Sequence, residues 1–422
     1  MTAAPFSSPL AEELAEDVLE RFLRYVRMDT QAAFHVEGRP STAKQLDLSR
    51  LLVEELREIG LEGAELTDSS TVFARLPGTA AGPAVGLIAH VDTTPDAPGA
   101  GVTPIVHEAW DGTPIVLPGD ERQVLDPAEN PELAARVGHV IVTSDGTTLL
   151  GGDDKAGIAE IMAGLAYLAR RPERTRAPVR VAFTVDEEVG RGADGFDIDA
   201  FDALAAYTLD GSGLGGLEVE TFSAASVRVT IRGVSTHPGT AKEKLVNALK
   251  LTADLVGSLP RDGLSPETTE DREGFVHPHL MSGTAEEAYV DFMVRDHEDS
   301  RLAEHIKLVR GLAESLERQE PRARVELEVR QSYRNIRPYV EQNPLVVDAA
   351  FEAMRRAGVE PRLSLIRGGT DGSILSSRGL PTPNLFTGGQ EYHSLREWAS
   401  LQDMAAAAAT VVELASVWAE LT

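Results

Sequence analysis

Histidine and acidic residues follow several apolar segments of this 422-residue sequence. They are His90 and Asp92, Asp153 and Asp154, the acidic triplet Asp186, Glu187 and Glu188, then Asp210, and finally His393. The chain has no cysteine, so a metal ion would have to be held by imidazole and carboxylate groups. That donor set favours hard or borderline ions such as zinc, manganese or cobalt.

The spacing of His90 and Asp92 has a specific geometric meaning. Residues i and i+2 of an extended segment face the same side, so Asp92 can accept a hydrogen bond from one imidazole nitrogen while the other binds metal. Two histidines and three carboxylates can hold two ions, with one carboxylate shared. Two-metal hydrolytic sites place their ions about 3.5 to 4 Å apart and activate water, whose proton needs a further carboxylate as acceptor.

Each of these residues also has a simpler explanation. Asp153 could cap a helix, Asp210 could stabilise a turn before Gly211, and His90 could be a hydrogen-bonded residue at the end of a strand. We favour a functional site because the residues follow five successive predicted strands, which we expect to end at the same edge of one sheet. Ligands of open α/β sheets gather at that edge.

The elements that must position these residues alternate along the chain between helical and strand-like segments. This pattern predicts an α/β fold, with a mixed, mostly parallel sheet flanked by helices. From about Gly216 the order becomes β-α-β-β-α-β, which predicts an inserted ferredoxin-like α+β satellite domain and a cleft between the two domains. We expect the catalytic domain to comprise residues 1–217 and 334–422 and the satellite domain to comprise residues 218–333.

The charge of the chain restricts its partners. Its formal net charge of -27 repels phosphate backbones and anionic lipids, which argues against nucleic-acid and membrane partners. The amino-terminal segment lacks the basic and apolar regions of a signal peptide, and we find no apolar run of membrane-spanning length. We therefore expect a cytoplasmic protein.

Several stretches together resemble the di-zinc metallopeptidase family that includes peptidase T, glutamate carboxypeptidases and desuccinylases. They are "AHVDTTPD", "TLLGGDDKAGIAEIM", "FTVDEEVGRGADGFD", "YTLDGSGLGGLEVE", "STHPGTAKEKLVNA" and "IRGGTDGSILSSRGLPTPNLFTGG". Single patterns such as HxD are weak, but this ordered set spans nearly the whole chain. The wording of "HPGTAK", "DDKAGIAEIM" and "RGGTDG" is similar to the peptidase T group.

The resemblance implies two zinc ions per subunit, with cobalt or manganese as substitutes. His90, Asp153 and Asp210 would hold one ion, and Asp153, Glu188 and His393 would hold the other, so that Asp153 bridges the pair.

The resemblance also implies roles for residues that do not bind metal. Asp92 would orient His90, Glu187 would be the general base and later the proton donor, and His237 of the satellite domain would stabilise the oxyanion. Three further residues would contact the backbone or carboxylate of the peptide: Asn247, Arg295 and Arg367.

The implied activity is removal of the N-terminal residue from small peptides, with tripeptides as the expected substrates. A homodimer formed through the satellite domain is a further expectation. The sequence departs from the family at Val185, where a proline is usual, and in "GGQEY" and "SLREW", which leaves substrate preference open. The alternatives are a related N-acyl amino acid deacylase, dipeptidase or carboxypeptidase, a non-catalytic peptide- or metal-binding protein, and an acidic interaction protein.

Overall fold

The computed structural model describes residues 4–421. Within these, the chain forms two compact units. The larger contains residues 4–219, 336–365 and 370–421, and the smaller contains residues 220–335 and 366–369. Each unit has a hydrophobic core of its own. None of the helices in the described part of the chain is long and apolar enough to cross a membrane.

Helices and strands alternate through most of the chain. The α-helices are α1 (Pro9–Tyr25), α2 (Gln45–Ile59), α3 (Pro131–Ala134), α4 (Gly152–Ala169), α5 (Ile198–Phe201), α6 (Ala248–Gly257), α7 (Asp299–Gln319), α8 (Arg337–Glu341), α9 (Pro344–Arg356), α10 (Asp371–Ser377) and α11 (Leu401–Leu421). Short 3-10 turns occur at Glu187–Val189, Pro238–Thr240 and Pro266–Thr268.

The strands are short in the larger unit and longer in the smaller one. They are β1 (Glu62–Leu66), β2 (Val72–Leu76), β3 (Val85–His90), β4 (Ile105–His107), β5 (Ile115–Val116), β6 (Val124–Leu125), β7 (Ile141–Thr143), β8 (Val179–Thr184), β9 (Ala205–Gly211), β10 (Gly216–Glu220), β11 (Ser223–Arg232), β12 (Phe275–Gly283), β13 (Glu287–Asp296), β14 (Arg324–Tyr333), β15 (Arg362–Leu365), β16 (Asn384–Phe386), β17 (Gly389–Gln390) and β18 (Trp398–Ser400).

The main sheet of the larger unit is mixed and has the order β1-β2-β8-β3-β9-β16-β10-β15. The central strands β8, β3, β9 and β16 are parallel to one another. The flanking pairs β1-β2, β2-β8 and β10-β16 are antiparallel. The predicted mixed α/β sheet is thus confirmed, and its four central strands run parallel to one another.

Both faces of this sheet are covered, which explains why its central strands are apolar throughout. Leu87 and Ala89 of β3 belong to the main core, whereas Ile88 between them belongs to a second cluster on the opposite face. Helices α1, α4, α9 and α11 pack against one another over the main core. Helix α2 ends at Gly60, whose φ of 92° is the left-handed conformation that favours glycine at a helix terminus.

One expectation about this sheet is wrong. The segment preceding Asp153 forms β7, which lies in a separate four-stranded sheet with the order β17-β18-β7-β4. The turn that carries His393 follows β17 of the same small sheet. The five ligand segments therefore do not all end at one edge of one sheet. An apolar run such as "VIVTS" predicts a buried strand but does not specify the sheet that it joins.

The smaller unit is a four-stranded antiparallel sheet with the order β12-β13-β11-β14. Helices α6 and α7 pack on one face, where Val309 of α7 shares a core with Val229, Val290 and Phe292 of the sheet. This order and the sequence of elements β-α-β-β-α-β confirm the ferredoxin-like satellite fold. The segment 366–369 groups with this unit through the main-chain hydrogen bond from Phe222 to Gly368.

Candidate active site

His90, the last residue of β3, faces two carboxylates. Its Nε2 lies 2.9 Å from Oδ1 of Asp153 and 3.7 Å from Oδ1 of Asp210. Its Nδ1 lies 3.1 Å from the main-chain oxygen of Asp92 and 3.5 Å from Oδ1 of that residue. The imidazole is buried. These contacts fix the plane of the ring and direct Nε2 towards Asp153 and Asp210.

Asp153 lies between two imidazoles. Its Oδ1 faces His90, while its Oδ2 lies 3.3 Å from Nε2 of His393. The same nitrogen of His393 is 2.9 Å from Oε2 of Glu188. All five residues predicted to bind metal are therefore brought together, and the two oxygens of Asp153 point to different histidines.

The main chain of the acidic triplet, which follows β8, is held by Asp92. The carboxylate of Asp92 accepts the main-chain N–H of Glu187 at Oδ1 and that of Glu188 at Oδ2, each at 3.1 Å. Asp92 thus positions the predicted base and a predicted ligand as well as lying next to His90. The expected contact with the His90 ring comes mainly from the Asp92 main-chain oxygen, because the carboxylate is occupied by the turn.

Asp186 has a structural role that the sequence left open. It is buried, and its carboxylate accepts hydrogen bonds from the main-chain N–H of Ser41 at 2.8 Å, from the Ser41 hydroxyl at 2.5 Å and from Nε2 of Gln45 at 2.7 Å. Its φ is 65°. Asp186 therefore anchors the acidic turn to the start of α2, and its charge is balanced by hydrogen-bond donors.

The site concentrates carboxyl groups where little water reaches them. Burial and the Asp153 carboxylate raise the pKa of Asp210 to about 7 and that of Glu188 to about 8. Burial also raises the pKa of Glu187 well above its usual value, and Asp210 adds to the shift. Burial opposes ionisation of Asp153, but hydrogen bonds with His393 and His90 outweigh it and lower the pKa of that carboxyl.

These residues could hold a divalent cation. His90, Asp153 and Glu188 each offer a ligand atom, and these atoms lie within 4.8 Å of one another. Oε1 of Glu188 is buried and has no hydrogen-bond partner within residues 4–421. Nitrogen and oxygen donors of this kind suit zinc, cobalt or manganese, and a cation would offset the carboxylate charges.

Asp154 is a competing ligand for the ion near His90. Together with His90 and Asp210 it offers atoms within 4.8 Å of one another. However, its Oδ2 accepts the main-chain N–H of His90 at 3.1 Å, and burial raises its pKa well above the usual range, which favours the neutral acid. Asp153 is the better candidate because its two oxygens face both imidazoles, whereas one oxygen of Asp154 is occupied by the main chain of His90.

His237 of the smaller unit is exposed and begins the 3-10 turn Pro238–Thr240. Its Nδ1 lies 3.1 Å from the main-chain nitrogen of Gly239, whose N–H it accepts. In a neutral imidazole this contact leaves the proton on Nε2, so Nε2 is the nitrogen that can donate.

The three predicted substrate-binding residues already have partners in the smaller unit. Oδ1 of Asn247 caps α6 by accepting the N–H of Lys250 at 3.3 Å. Nη1 of Arg367 donates to the main-chain oxygens of Asp271 and Glu273, and Nη2 donates to the hydroxyl of Thr269. Arg295 makes a longer contact, 3.4 Å, with the Arg367 main-chain oxygen. Of the three, Arg295 has the least committed polar group.

Asn384 of β16 was not predicted from the sequence. Its Oδ1 accepts the main-chain N–H of Asp210 at 3.1 Å and the hydroxyl of Thr208 at 2.8 Å, while its Nδ2 donates to Glu218 at 2.7 Å. Asn384 therefore holds the backbone of a predicted metal ligand. A single asparagine in an apolar segment carries no local signal of such a role.

Asp371 is a second residue that sequence reasoning missed. It is buried at the start of α10, its Oδ2 accepts the hydroxyl of Thr184 at 2.7 Å, and burial raises its pKa to about 6. A Cβ at Gly192 would lie 2.0 Å from its Oδ1. The glycine after the acidic turn is thus explained by close packing against this carboxylate.

Comparison with known proteins gives consistent results. The family model described as peptidase family M20/M25/M40 matches residues 149–416. Peptidase T of Brevibacillus brevis is 45% identical over 404 residues, covering 95% of this chain and 98% of the relative. Peptidase T of Listeria monocytogenes serotype 4b (strain F2365) is 43% identical over 409 residues, covering 96% of this chain and all of the relative.

Solved structures share the fold at lower identity. Aminopeptidase PepT of Bacillus cereus is 23% identical with a TM-score of 0.74, and a tripeptidase of Staphylococcus aureus is 23% identical with a TM-score of 0.75. Both alignments cover 96% of this chain and 99% of the other. A dinuclear metal-binding peptidase of family M20 from Bacillus subtilis is 15% identical with a TM-score of 0.65, covering 97% of this chain and 100% of the other.

Proposed function

Because the chain belongs to peptidase family M20/M25/M40, we propose that it is a metal-dependent aminopeptidase that removes the N-terminal residue of tripeptides. The similarity to proteins named Peptidase T extends over nearly the full length of both chains. The observation that carries the proposal is the position of Asp153, whose two oxygens face His90 and His393. A carboxylate placed between two histidines in this way could be shared by the two ions of a two-metal hydrolytic site.

The proposed metal ligands are the five residues gathered around Asp153. His90, Asp153 and Asp210 would hold one ion, and Asp153, Glu188 and His393 would hold the other. When bound, the ions supply Lewis acidity to the scissile carbonyl and lower the pKa of water. Zinc is our proposal for both ions, with cobalt and manganese as substitutes that the same donors accept.

Glu187 is the proposed general base. Asp92 holds the main chain of Glu187 and Glu188, and the Glu187 carboxyl group is close enough to His90 and Asp210 for their charges to act on it. The raised pKa of Glu187 suits a group that accepts a proton from the attacking water molecule. The same carboxyl group would then return the proton to the amine that leaves when the peptide bond breaks.

His237 is the proposed donor to the oxyanion of the tetrahedral intermediate. The assignment rests on its place in the "STHPGTAK" motif and on the proton that its contact with Gly239 leaves on Nε2. A donor at this position would act when charge develops on the carbonyl oxygen.

His237→Ala should lower kcat by about two to three orders of magnitude, because loss of one oxyanion donor costs about 2.7 to 4 kcal/mol. Steady-state kinetics with Ala-Ala-Ala at saturating metal measures the effect. The matched control is His279→Ala, which alters an exposed histidine of the same unit and should leave kcat close to that of the parent. A loss of less than about threefold in His237→Ala would remove this residue from the oxyanion role.

Recognition of a tripeptide requires contacts at both ends of the substrate. A carboxylate near the metal ligands would bind the α-ammonium group, and an arginine would bind the terminal carboxylate through paired hydrogen bonds. Asn247, Arg295 and Arg367 remain the proposed substrate-binding residues. Arg295 is the preferred carboxylate contact because Arg367 already donates to three oxygens of the segment 269–273.

A substrate comparison tests the proposed activity. We expect purified, metal-loaded protein to cleave Ala-Ala-Ala to alanine and Ala-Ala, and to leave N-acetyl amino acids and N-blocked dipeptides intact. Cleavage of either bond of Ala-Ala-Ala gives the same two products, so reverse-phase separation of the products of a tripeptide with three different residues identifies the bond that is cut. Cleavage of blocked substrates alone would contradict an aminopeptidase and would indicate a deacylase or carboxypeptidase of the same family.

Location and assembly are further parts of the proposal. We propose that the enzyme acts in the cytoplasm on small peptides, and that it forms a homodimer through the smaller unit. Analytical ultracentrifugation tests the dimer, and a monomer at micromolar concentration would contradict it.

A further inference from the structure

The carboxylate of Glu397 accepts hydrogen bonds from the turn that carries Asp153. Its Oε2 accepts the main-chain N–H of Leu150 at 2.8 Å and of Gly151 at 2.7 Å, and its Oε1 accepts that of Asp153 at 3.0 Å. The residue is 1% exposed. One buried side chain therefore accepts three main-chain N–H groups of the 150–153 segment.

This turn is not a regular helix start. Asp153 and Asp154 have non-helical backbone angles, with φ and ψ of -85° and 103° at Asp153, and Gly151 has a φ of 83°. A Cβ at Gly152 would lie 3.0 Å from Oε1 of Glu397, which is closer than almost all Cβ contacts. The backbone of the turn thus departs from helical geometry and packs closely against the Glu397 carboxylate.

Glu397 also links the two metal-ligand segments. It lies four residues after His393 in the chain, and its side chain holds the main chain of Asp153, whose Oδ2 faces His393. The buried ammonium of Lys155 is close to the same turn, because a Cβ at Gly151 would lie 3.4 Å from its Nζ. Its Nζ donates to the main-chain oxygen of Met28 at 2.8 Å, so the hydrogen bonds that hold the turn come from the Glu397 carboxylate.

We propose that Glu397 is a positioning residue that fixes the 150–153 turn so that both oxygens of Asp153 face their histidines at once, and that it thereby sets the affinity of the site for its metal pair. This proposal rests on the proposed function for the identity of the ligands. It assigns no contact between Glu397 and substrate or metal. Substitution of a residue that hydrogen-bonds to a metal ligand without binding the metal typically lowers metal affinity by about 10- to 100-fold.

The test is the metal affinity of Glu397→Gln. An amide offers one acceptor where three N–H groups now meet two oxygens, so at least one N–H of the turn must face an NH2 group. We expect affinity for zinc to fall by about 10- to 100-fold, measured by calorimetric titration of the metal-free full-length protein or by competition with a chelator. We also expect kcat at saturating zinc to recover more fully than the affinity does.

The matched control is Glu160→Gln, another buried carboxyl of the larger unit. Its Oε1 accepts the N–H of Gly388 at 3.3 Å, a bond that the amide oxygen retains. This variant should keep the zinc affinity of the parent. Comparison of the two variants separates a loss of positioning from the general effect of replacing a buried acid by an amide.

Glu397→Gln that folds and binds zinc as tightly as the parent would overturn the proposal. If that variant does not fold, Gly152→Ala tests the same turn without removing the carboxylate, since the new Cβ must displace it. Unchanged zinc affinity in Gly152→Ala would likewise overturn the proposal. A parent protein that binds no metal pair would instead contradict the proposed function, so the two failures are distinguishable.

Discussion

Glu187→Gln should nearly abolish tripeptide hydrolysis while both metal ions still bind. The amide cannot accept a proton, and general acid–base groups contribute about 10²- to 10⁴-fold to rate. The substitution keeps the size of the side chain and leaves the N–H of residue 187 bound to Asp92. Steady-state kinetics with Ala-Ala-Ala, together with metal analysis of the same preparation, measures both parts of the prediction.

The adjacent and distant acids provide the controls for this experiment. Glu188→Gln should weaken metal binding because it alters a proposed ligand, and Asp186→Asn should have the mildest effect on turnover of the three acids. Glu173→Gln changes an exposed residue after α4 and should leave kcat unchanged. A Glu187→Gln enzyme with kcat within about threefold of the parent would contradict the assignment of the base.

Asp153→Asn should lose metal and activity together. The native carboxylate presents one oxygen to His90 and the other to His393, and an amide presents only one oxygen and carries no charge. We expect the variant to hold fewer than two ions. We also expect kcat/KM to fall by more than the factor of about 10 to 100 that is typical when a residue supporting a metal ligand is substituted. Elemental analysis after gel filtration measures the stoichiometry.

Asp199→Asn is the matched control for this change, because Asp199 is an exposed acid of α5. It should bind two ions and turn over as the parent does. Retention of both ions by Asp153→Asn would show that Asp153 is not shared, and would favour Asp154 as the ligand next to His90 and Asp210.

The sequence predicted which residues gather at the site better than it predicted how they are supported. His90, Glu188 and Asp210 lie at or just beyond the ends of central strands, where an apolar run followed by a ligand residue is informative. Asp153 and His393 come instead from a helix start and from a turn after a strand of another sheet. Sheet membership depends on pairing between distant segments, and an apolar run does not encode its partner.

The supporting residues were the hardest to predict. Asn384 and Glu397 hold the main chain of Asp210 and Asp153 from segments that are 174 and 244 residues away. Neither residue lies in a local pattern that distinguishes it from an ordinary polar residue. The satellite fold was predictable because its strands and helices are long and their order is regular.

Reconstitution with metal tests the central claim most directly. The protein is stripped with a chelator, shown by elemental analysis to be free of metal, and assayed with Ala-Ala-Ala before and after titration with zinc, cobalt or manganese. We predict no hydrolysis by the metal-free protein and full recovery once two ions per chain have bound. Hydrolysis that survives complete removal of metal would contradict the account.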